Sequence, residues 1–510
     1  MGSTHLRHKL WLGAAQQHAA VLARAKPSVI RAASTNTTSK KSEGTIEEIF
    51  SSFHETPPFP ERFSHLKREM WTESLVESWR DVLKELEHAT ERVIAQGSQS
   101  VPEVSYASLS NGLSAPELEA VKAAGCTIVR GAVPEAEARD WDRITREYIA
   151  ANKDKIRGSP AERIVFFELY QSPAQITARA HPHVLGTHKA LLASLFHAEP
   201  MAPVSLHTPL AYFDRLRIRP PGPSQFTLGP HVDGGGIERW EDEQYRRVYA
   251  EILRGGAAWR GYDAWDLTER IGANQDLYNA PNQCSILRPL QGWLSLSETG
   301  PGEGTLKVVP FVKEASAYML LLPFFRPTAQ AQRTASANNG KIPLDFASWE
   351  PALDSPEFPG AVPGKAQVLS PATHPHLRLD EGALVSVPRV RPGDQVFWHC
   401  DLVHAVEAEH NGANDAVVLY IPAAPFTVGN AGYIRSQLLN FARGLPAPDF
   451  PSGPGEAGFV GQASPADVKT PEARKAFGLE EYTEEDIVRS KGSVSEGERE
   501  ALYQGNMIIF

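Results

Sequence analysis

Gly229-Pro230-His231-Val232-Asp233-Gly234-Gly235-Gly236 decides how the rest of this 510-residue chain is read. In an extended backbone, side chains two residues apart point to the same side, so His231 and Asp233 present an imidazole and a carboxylate to one point. That pair can grip a metal ion. The glycines that follow let the backbone turn sharply or approach a ligand closely, or they serve only a turn. Far downstream, Pro392-Gly393-Asp394-Gln395-Val396-Phe397-Trp398-His399-Cys400-Asp401-Leu402-Val403-His404 offers a turn, then an apolar run that reads as a buried strand, then further imidazoles. His404 is the first candidate for a third ligand and His399 the second.

Two imidazoles and one carboxylate on one face of an octahedron leave the opposite face open, which is the ligand set of non-haem Fe(II) oxygenases. A His-x-Asp triplet carries little weight by itself. With 17 histidines, about one triplet arises by chance, and this chain has a second in His399-x-Asp401. The Pro/Gly-rich approach and the three glycines single out the first.

Composition bounds the alternatives. At 42% hydrophobic residues the chain can bury a large core, as one decorated domain or as two. No uncharged apolar run reaches the roughly eighteen residues of a membrane span; Ala315 to Phe325 comes nearest. Cys126, Cys284 and Cys400 are widely spaced and form no CxxC pair, which argues against a disulfide framework or zinc ribbon and fits a reducing compartment. The net charge of −10 is uneven, because residues 1–42 hold seven Lys/Arg, among them Arg7, Arg24 and Arg31, and no acid. The remainder is strongly acidic and unsuited to nucleic acid, so a small-molecule substrate is the expected partner. The basic start, rich in Ala, Ser and Thr, reads either as a mitochondrial presequence or as a disordered tail, giving a mitochondrial or a cytoplasmic protein.

Along the chain, Leu75, Trp79, Val82, Leu86, Ala89 and Val93 recur at helical spacing up to a glycine stop at Gly97. Ser114-Ala115-Pro116-Glu117 is a capping box with proline in the first turn, and Gly125 closes that helix before the strand-like run Cys126 to Val129. A further helix is expected from about Pro134 to Asn152. Between Ser205 and Pro221 the period becomes two, placing Arg217 and Arg219 on one side of a strand. Strands are expected at Cys284 to Leu287, Gly292 to Leu296, Thr305 to Pro310, Gln395 to Trp398 and Ala416 to Ile421, with a polar, aromatic insertion over 237–282. Residues 326–380 read as a long decorated loop, the chain beyond Ala431 as helical, and 478–510 as a charged, partly ordered tail. Trp240, Trp265, Trp293 and Trp398 read as core or pocket wall, Cys400 as a small buried apolar group, and His374, His376 and His410 as solvated. Many short strands with Gly/Pro turns argue for a β-sandwich or jelly roll.

Arg217-x-Arg219-Pro220-Pro221, the His231 segment, Glu238-Arg239-Trp240, Leu287-Arg288-Pro289-x-Gln291-Gly292-Trp293, Gly304-Thr305-Leu306-Lys307-Val308-Val309-Pro310 and Gly393-Asp394-x-Val396-Phe397-Trp398-His399-x-Asp401-x-x-His404 together resemble the YbiU-like family. That family is similar to the phytanoyl-CoA-hydroxylase-like iron- and 2-oxoglutarate-dependent dioxygenases, and the likeness covers roughly residues 44–478. It implies an α+β protein built on a double-stranded β-helix (jelly roll, cupin-like), with an N-terminal helical scaffold and long insertions. The organisation expected is a basic segment over 1–42, the scaffold over 43–200, the β-helix core over 201–430 and a C-terminal extension over 431–510.

The resemblance further implies Fe(II) held by His231, Asp233 and His404, with 2-oxoglutarate and O2 at the open positions and a C–H bond of a small organic substrate as the target. One departure matters. Relatives of that hydroxylase type carry an arginine about ten residues after the distal histidine to clamp the far carboxylate of 2-oxoglutarate, whereas here no Lys or Arg occurs between His404 and Arg435. Bidentate geometry favours an arginine, so the clamp is sought among Arg217, Arg219 and Arg288, with Lys307 behind them. A redox-neutral cupin-type isomerase or hydrolase using the same ligands, and a non-catalytic binding module, stay open beside the oxygenase.

Overall fold

The helix expected around Leu75 to Val93 runs from Ser74 to Gln96 (α1) in a computed structural model, which describes residues 41–44, 46–50, 59–223 and 227–510. The basic segment read as presequence or tail lies outside the described residues up to position 40. α1 buries the apolar stripe and stops at Gly97, whose φ of 56° no β-carbon-bearing residue adopts comfortably. α2 (Ala115–Ala124) carries the Ser114/Glu117 capping box and ends at Gly125, while α3 (Glu135–Ala151) follows the next strand. Residues 41–510 form one unit.

Thirteen strands matter for the site. In chain order they are β1 (Glu103–Ser105), β2 (Cys126–Arg130), β3 (Gly158–Ser159), β4 (Phe166–Phe167), β5 (Leu216–Arg219), β6 (His231–Val232), β7 (Leu290–Ser295), β8 (Leu306–Val308), β9 (Gln367–Val368), β10 (Val385–Ser386), β11 (Gln395–His399), β12 (His404–Val406) and β13 (Ala416–Tyr420). An eight-stranded sheet has the order β1-β2-β11-β7-β13-β5-β4-β3, and a five-stranded sheet the order β9-β6-β12-β8-β10. All pairings are antiparallel except β1 with β2. The protein is thus a mixed α+β fold with large antiparallel sheets. The N-terminal part is woven into it, since Val396 of β11 pairs with Ile128 of β2 on one side and with Trp293 of β7 on the other. β7, β11 and β13 are buried almost throughout, as their apolar composition requires of central strands.

Several expectations are corrected. Residues 284–287 form no strand; Ser285 and Leu287 are instead tied to Asp449 and Asn430 by hydrogen bonds. The stretch 326–380 is structured: Phe325–Pro327 pairs with Trp349–Pro351, Ala329–Ala337 is helical, and Gln367–Val368 enters the smaller sheet as β9. The end of the chain is helical too, with Glu484–Lys491 and Glu496–Ile509 following the helix Val428–Phe441.

His374, His376 and His410, expected in solvent, are 0%, 5% and 2% exposed. His376 is enclosed by Trp79, Tyr318 and Trp349, at ring-centroid distances of 5.5, 5.3 and 4.8 Å. Polar flanking sequence gave no sign of this cage, because its walls come from elements far apart in the chain. Burial pushes the imidazoles of His188, His374, His376 and His399 down to about 4, 3, 4 and 4. These groups stay neutral in the folded chain but protonate near 6.5 when exposed, so their stabilisation is complete above pH 6.5 and is lost as the pH falls towards 4. Urea unfolding at pH 7.5 and pH 5.0 is expected to give a markedly lower midpoint at the acidic pH; equal midpoints would contradict it.

Candidate metal centre

β6 and β12 meet at a single register couple, His404 opposite His231. Neighbouring strands therefore set the two imidazoles side by side, with ring centroids 4.1 Å apart. Asp233, two residues beyond His231, reaches both: its Oδ1 lies 3.8 Å from His231 Nε2 and its Oδ2 lies 3.6 Å from His404 Nε2. The three donor atoms lie within 4.8 Å of one another, a spacing that one ion can bridge.

The imidazoles are supported from behind. His231 Nδ1 lies 2.6 Å from the Gly229 carbonyl oxygen and His404 Nδ1 lies 2.9 Å from that of Leu402. A carbonyl accepts only, so each Nδ1 carries the proton and each Nε2 keeps its lone pair for a metal. Phe50 packs edge-on against His231 at 4.7 Å, and Trp398 sits 5.2 Å from His404. Burial, with His404 adding to it, pushes the His231 imidazole down to about 4, so it is neutral at physiological pH. Burial pushes the Asp233 carboxyl up, but the His404 and His231 side chains facing it and Arg288 outweigh it and hold the group well below the usual carboxylate range. A neutral His231 imidazole and an ionised Asp233 are protonation states that suit a divalent ion.

All three glycines have structural work, beginning with Gly234 at φ 73°. Gly235 has φ 91°, and a β-carbon at Gly236 would stand 2.7 Å from the Lys365 carbonyl oxygen. The backbone thus turns directly from His231 and Asp233 into the helix Glu238–Glu241.

The second His-x-Asp has a different part. His399 Nδ1 accepts from the Asp401 backbone N–H at 3.1 Å, so its proton sits on Nε2, which lies 2.9 Å from the Ala264 carbonyl oxygen. No lone pair remains for a metal. Asp401 is 1% exposed and takes Arg270 Nη2 at 2.5 Å, the Tyr249 hydroxyl at 2.9 Å and Arg239 Nη2 at 3.4 Å. Although His399, Cys400 and Asp401 lie within metal-binding reach of each other, the arginines satisfy the carboxylate. Burial raises the Cys400 thiol to about 12, which makes it inert. Arg239 also donates to the backbone oxygens of Asp233, at 2.9 Å, and Gly235. The second motif therefore buttresses the first.

A cavity of about 120 Å³ adjoins the triad, lined from both sheets, and it admits a small organic molecule rather than a lone water. Arg217 and Arg288 line it; Arg219 and Lys307 do not. Arg219 is turned to the carbonyl oxygens of Glu407 and Ala408, and Lys307 alternates with the cavity-facing Leu306. Trp293 and Trp398 are cavity wall, whereas Trp240 and Trp265 are core. Sequence reading missed Tyr212, Asp214 and Arg215, which also line the cavity. The charge alternation from Asp214 onward was the available signal.

Ile46, Ile49 and Phe50 add an apolar wall. Their segment is anchored by Lys41, which pairs with Asp276 at 2.6 Å and Asp449 at 3.3 Å although it falls within the stretch read as a tail.

Fold and site together define a mixed α+β protein whose two largely antiparallel sheets converge on a His/Asp/His group, its imidazoles buried, suited to one metal ion. The chain belongs to the Gig2-like family, which matches residues 57–479. It is 31% identical over 398 residues to the uncharacterized protein YbiU of Escherichia coli K12, covering 76% of this chain and 87% of that protein. Among solved structures it is similar to GlcNAc Inducible Gene 2, GIG2, from Candida albicans, with a TM-score of 0.76 and 29% identity over 89% of this chain and 96% of that one. It is also similar to the hypothetical protein JW0805 from Escherichia coli, with a TM-score of 0.66 and 27% identity over 83% and 98%. No helix among the described residues is long and apolar enough to cross a membrane.

Proposed function

We propose that this chain is an Fe(II)- and 2-oxoglutarate-dependent oxygenase that oxidises a C–H bond of a small organic substrate. The observation that carries the reading is the His231/Asp233/His404 triad, with both Nδ1 atoms committed to backbone carbonyls and both Nε2 atoms turned to one carboxylate. Strand order supports a double-stranded β-helix. Of its eight strands, β5-β13-β7-β11 are neighbours in one sheet and β6-β12-β8-β10 in the other, and the successive pairs β5/β6, β7/β8, β10/β11 and β12/β13 cross between the sheets.

The donor set fits Fe(II), and the cavity fits an anionic chelator. Three protein ligands on one face leave room for 2-oxoglutarate and O2. When bound, these supply the oxidising power and release succinate and carbon dioxide. The protein orients both imidazoles, holds Asp233 ionised and excludes water with aromatic walls. Arg217 is the residue assigned to clamp the far carboxylate of the cosubstrate. Its strand position is opposite Val418 of β13, the strand that follows the distal histidine, so an arginine on the neighbouring strand takes over a role absent from β13 itself. Nη2 of Arg217 is fixed by the Gly304 carbonyl oxygen at 2.7 Å, while Arg217 Nε, Thr305 Oγ1 and Trp398 Nε1 are buried at the cavity without a partner. Buried unpaired donors cost about 1–3 kcal/mol each unless a ligand satisfies them.

Succinate release from 2-oxoglutarate under O2 tests the function directly. Wild-type protein with Fe(II) is expected to release it, and protein that keeps its metal but releases none would favour the redox-neutral alternative. Arg217→Gln is expected to weaken 2-oxoglutarate binding about 10- to 100-fold, the worth of one charged hydrogen bond, with Fe(II) affinity unchanged. Unchanged 2-oxoglutarate affinity in that variant would remove Arg217 from the role.

A further inference from the structure

With the metal and 2-oxoglutarate assigned, the cavity still holds surplus positive charge. Among the described residues its charged lining comprises Arg215, Arg217 and Arg288 against Asp214 and Asp233. A divalent ion adds two positive charges and the 2-oxoglutarate dianion cancels them, which leaves one positive charge among largely buried, low-dielectric surroundings. An uncompensated buried charge is strongly unfavourable, so a site of this composition is completed by an anion.

The surplus is localised. Asp214 is shared by two arginines, with Oδ1 3.3 Å from Arg215 Nε and Oδ2 3.4 Å from Arg288 Nη1. One carboxylate therefore faces two guanidinium groups. The other acid near Arg288 is Asp233, 4.0 Å from Nη2, whose oxygens also face the two imidazoles. Charged hydrogen bonds of full strength measure about 2.7–2.9 Å, so the contacts of Arg288 leave its fork unsaturated. Arg215 is held in place by the Asn282 side-chain oxygen at 3.0 Å and by stacking over Phe450 at 4.3 Å. Asn282 in turn donates to the Gly44 carbonyl oxygen, which links this arginine to the segment that supplies Ile46, Ile49 and Phe50. Arg217 is fixed elsewhere, on Gly304, and shares none of these hydrogen-bond or ion-pair partners.

Resting on the oxygenase reading above, we infer that the primary substrate is a carboxylate with an apolar body, its anionic head held by Arg288 and Arg215 and its body lying against Ile46, Ile49, Phe50 and Leu228, which also lines the cavity. Arg288 ties the head to the metal ligand Asp233, which sets the distance between the carboxylate and the oxidised carbon. Such an enzyme would refuse the neutral amide of its own substrate. A hydrogen-bonding site left with an unpaired charge rejects the analogue that lacks the partner.

The test uses full-length protein loaded anaerobically with Fe(II) and 2-oxoglutarate, titrated calorimetrically with matched pairs: butyrate and butyramide, hexanoate and hexanamide, benzoate and benzamide, phenylacetate and phenylacetamide. In at least one pair the acid is expected to bind tenfold or more tightly than its amide. Arg288→Gln and Arg215→Gln are each expected to erase that preference while the visible band of the Fe(II)–2-oxoglutarate chelate forms as in wild type, which also shows that the variants fold. Arg288→Lys, which keeps the charge but not the fork, is expected to recover part of the preference.

No acid preference in any pair, or a preference that survives both glutamine variants, overturns the substrate proposal. Loss of the chelate band in Arg288→Gln overturns it too, by assigning that arginine to 2-oxoglutarate. A missing band in wild type with the acid preference intact would instead strike the oxygenase reading and leave the carboxylate site standing.

Discussion

Replacing His404 with alanine is expected to lower Fe(II) affinity by more than about 100-fold and to abolish succinate release, with the fold retained. The argument is one of ligand count. Loss of a hydrogen bond that merely supports a metal ligand costs roughly 10- to 100-fold in affinity, and under the proposed function His404 is itself one of three ligands. Its ring is 4% exposed and stands at the cavity rather than in the main core, so removing it should disturb packing little. His231→Ala is expected to behave alike, and the double variant to be no worse than either single one in turnover. Equilibrium dialysis with Fe(II) checks the first claim. Affinity within threefold of wild type in either single variant would mean that the triad does not hold the metal.

The second large effect is on stability. Asp401→Ala removes the carboxylate shared by Arg239, Arg270 and Tyr249, all in the core, and leaves two buried guanidinium groups without their counter-charge. Burial alone would push the Asp401 carboxyl up, yet Arg270 and Arg239 hold it far below its ordinary range, which measures how strongly the cluster prefers the anion. Breaking such a buried pair costs about 3–5 kcal/mol. A drop of that size in the unfolding free energy from urea titration is expected, together with weaker Fe(II) binding, because Arg239 also fixes the backbone of Asp233 and Gly235. A variant within about 1 kcal/mol of wild type would show that the ion cluster is dispensable, as a surface pair would be.

Much of this was legible wherever the signal was local. Ser114-x-x-Glu117 and the glycine stops at Gly97 and Gly125 placed helix ends, because caps are satisfied within a few residues. His231-x-Asp233 was legible for the same reason. The short strands were harder: β6, β9 and β10 are two residues long and exist through pairing with their neighbours, not through their own propensity.

Least legible was chemistry made by distant partners. Arg239 meets Asp401 across 162 positions, and Arg270 meets it across 131, so nothing in the spacing of either motif announced that one His-x-Asp would become the buttress of the other. The burial of His376 in the cage of Trp79, Tyr318 and Trp349 had the same origin. Choice among the arginines also waited on register, since only pairing shows that Arg217 stands opposite Val418.

Anaerobic titration of the Fe(II)-loaded protein with 2-oxoglutarate, followed by visible absorption, tests the central claim most directly. A ligand sphere with three protein donors on one face predicts a charge-transfer band that grows to saturation at one 2-oxoglutarate per iron and vanishes in Asp233→Ala. Iron bound tightly with no band at any 2-oxoglutarate concentration, or a band indifferent to loss of Asp233, would contradict it.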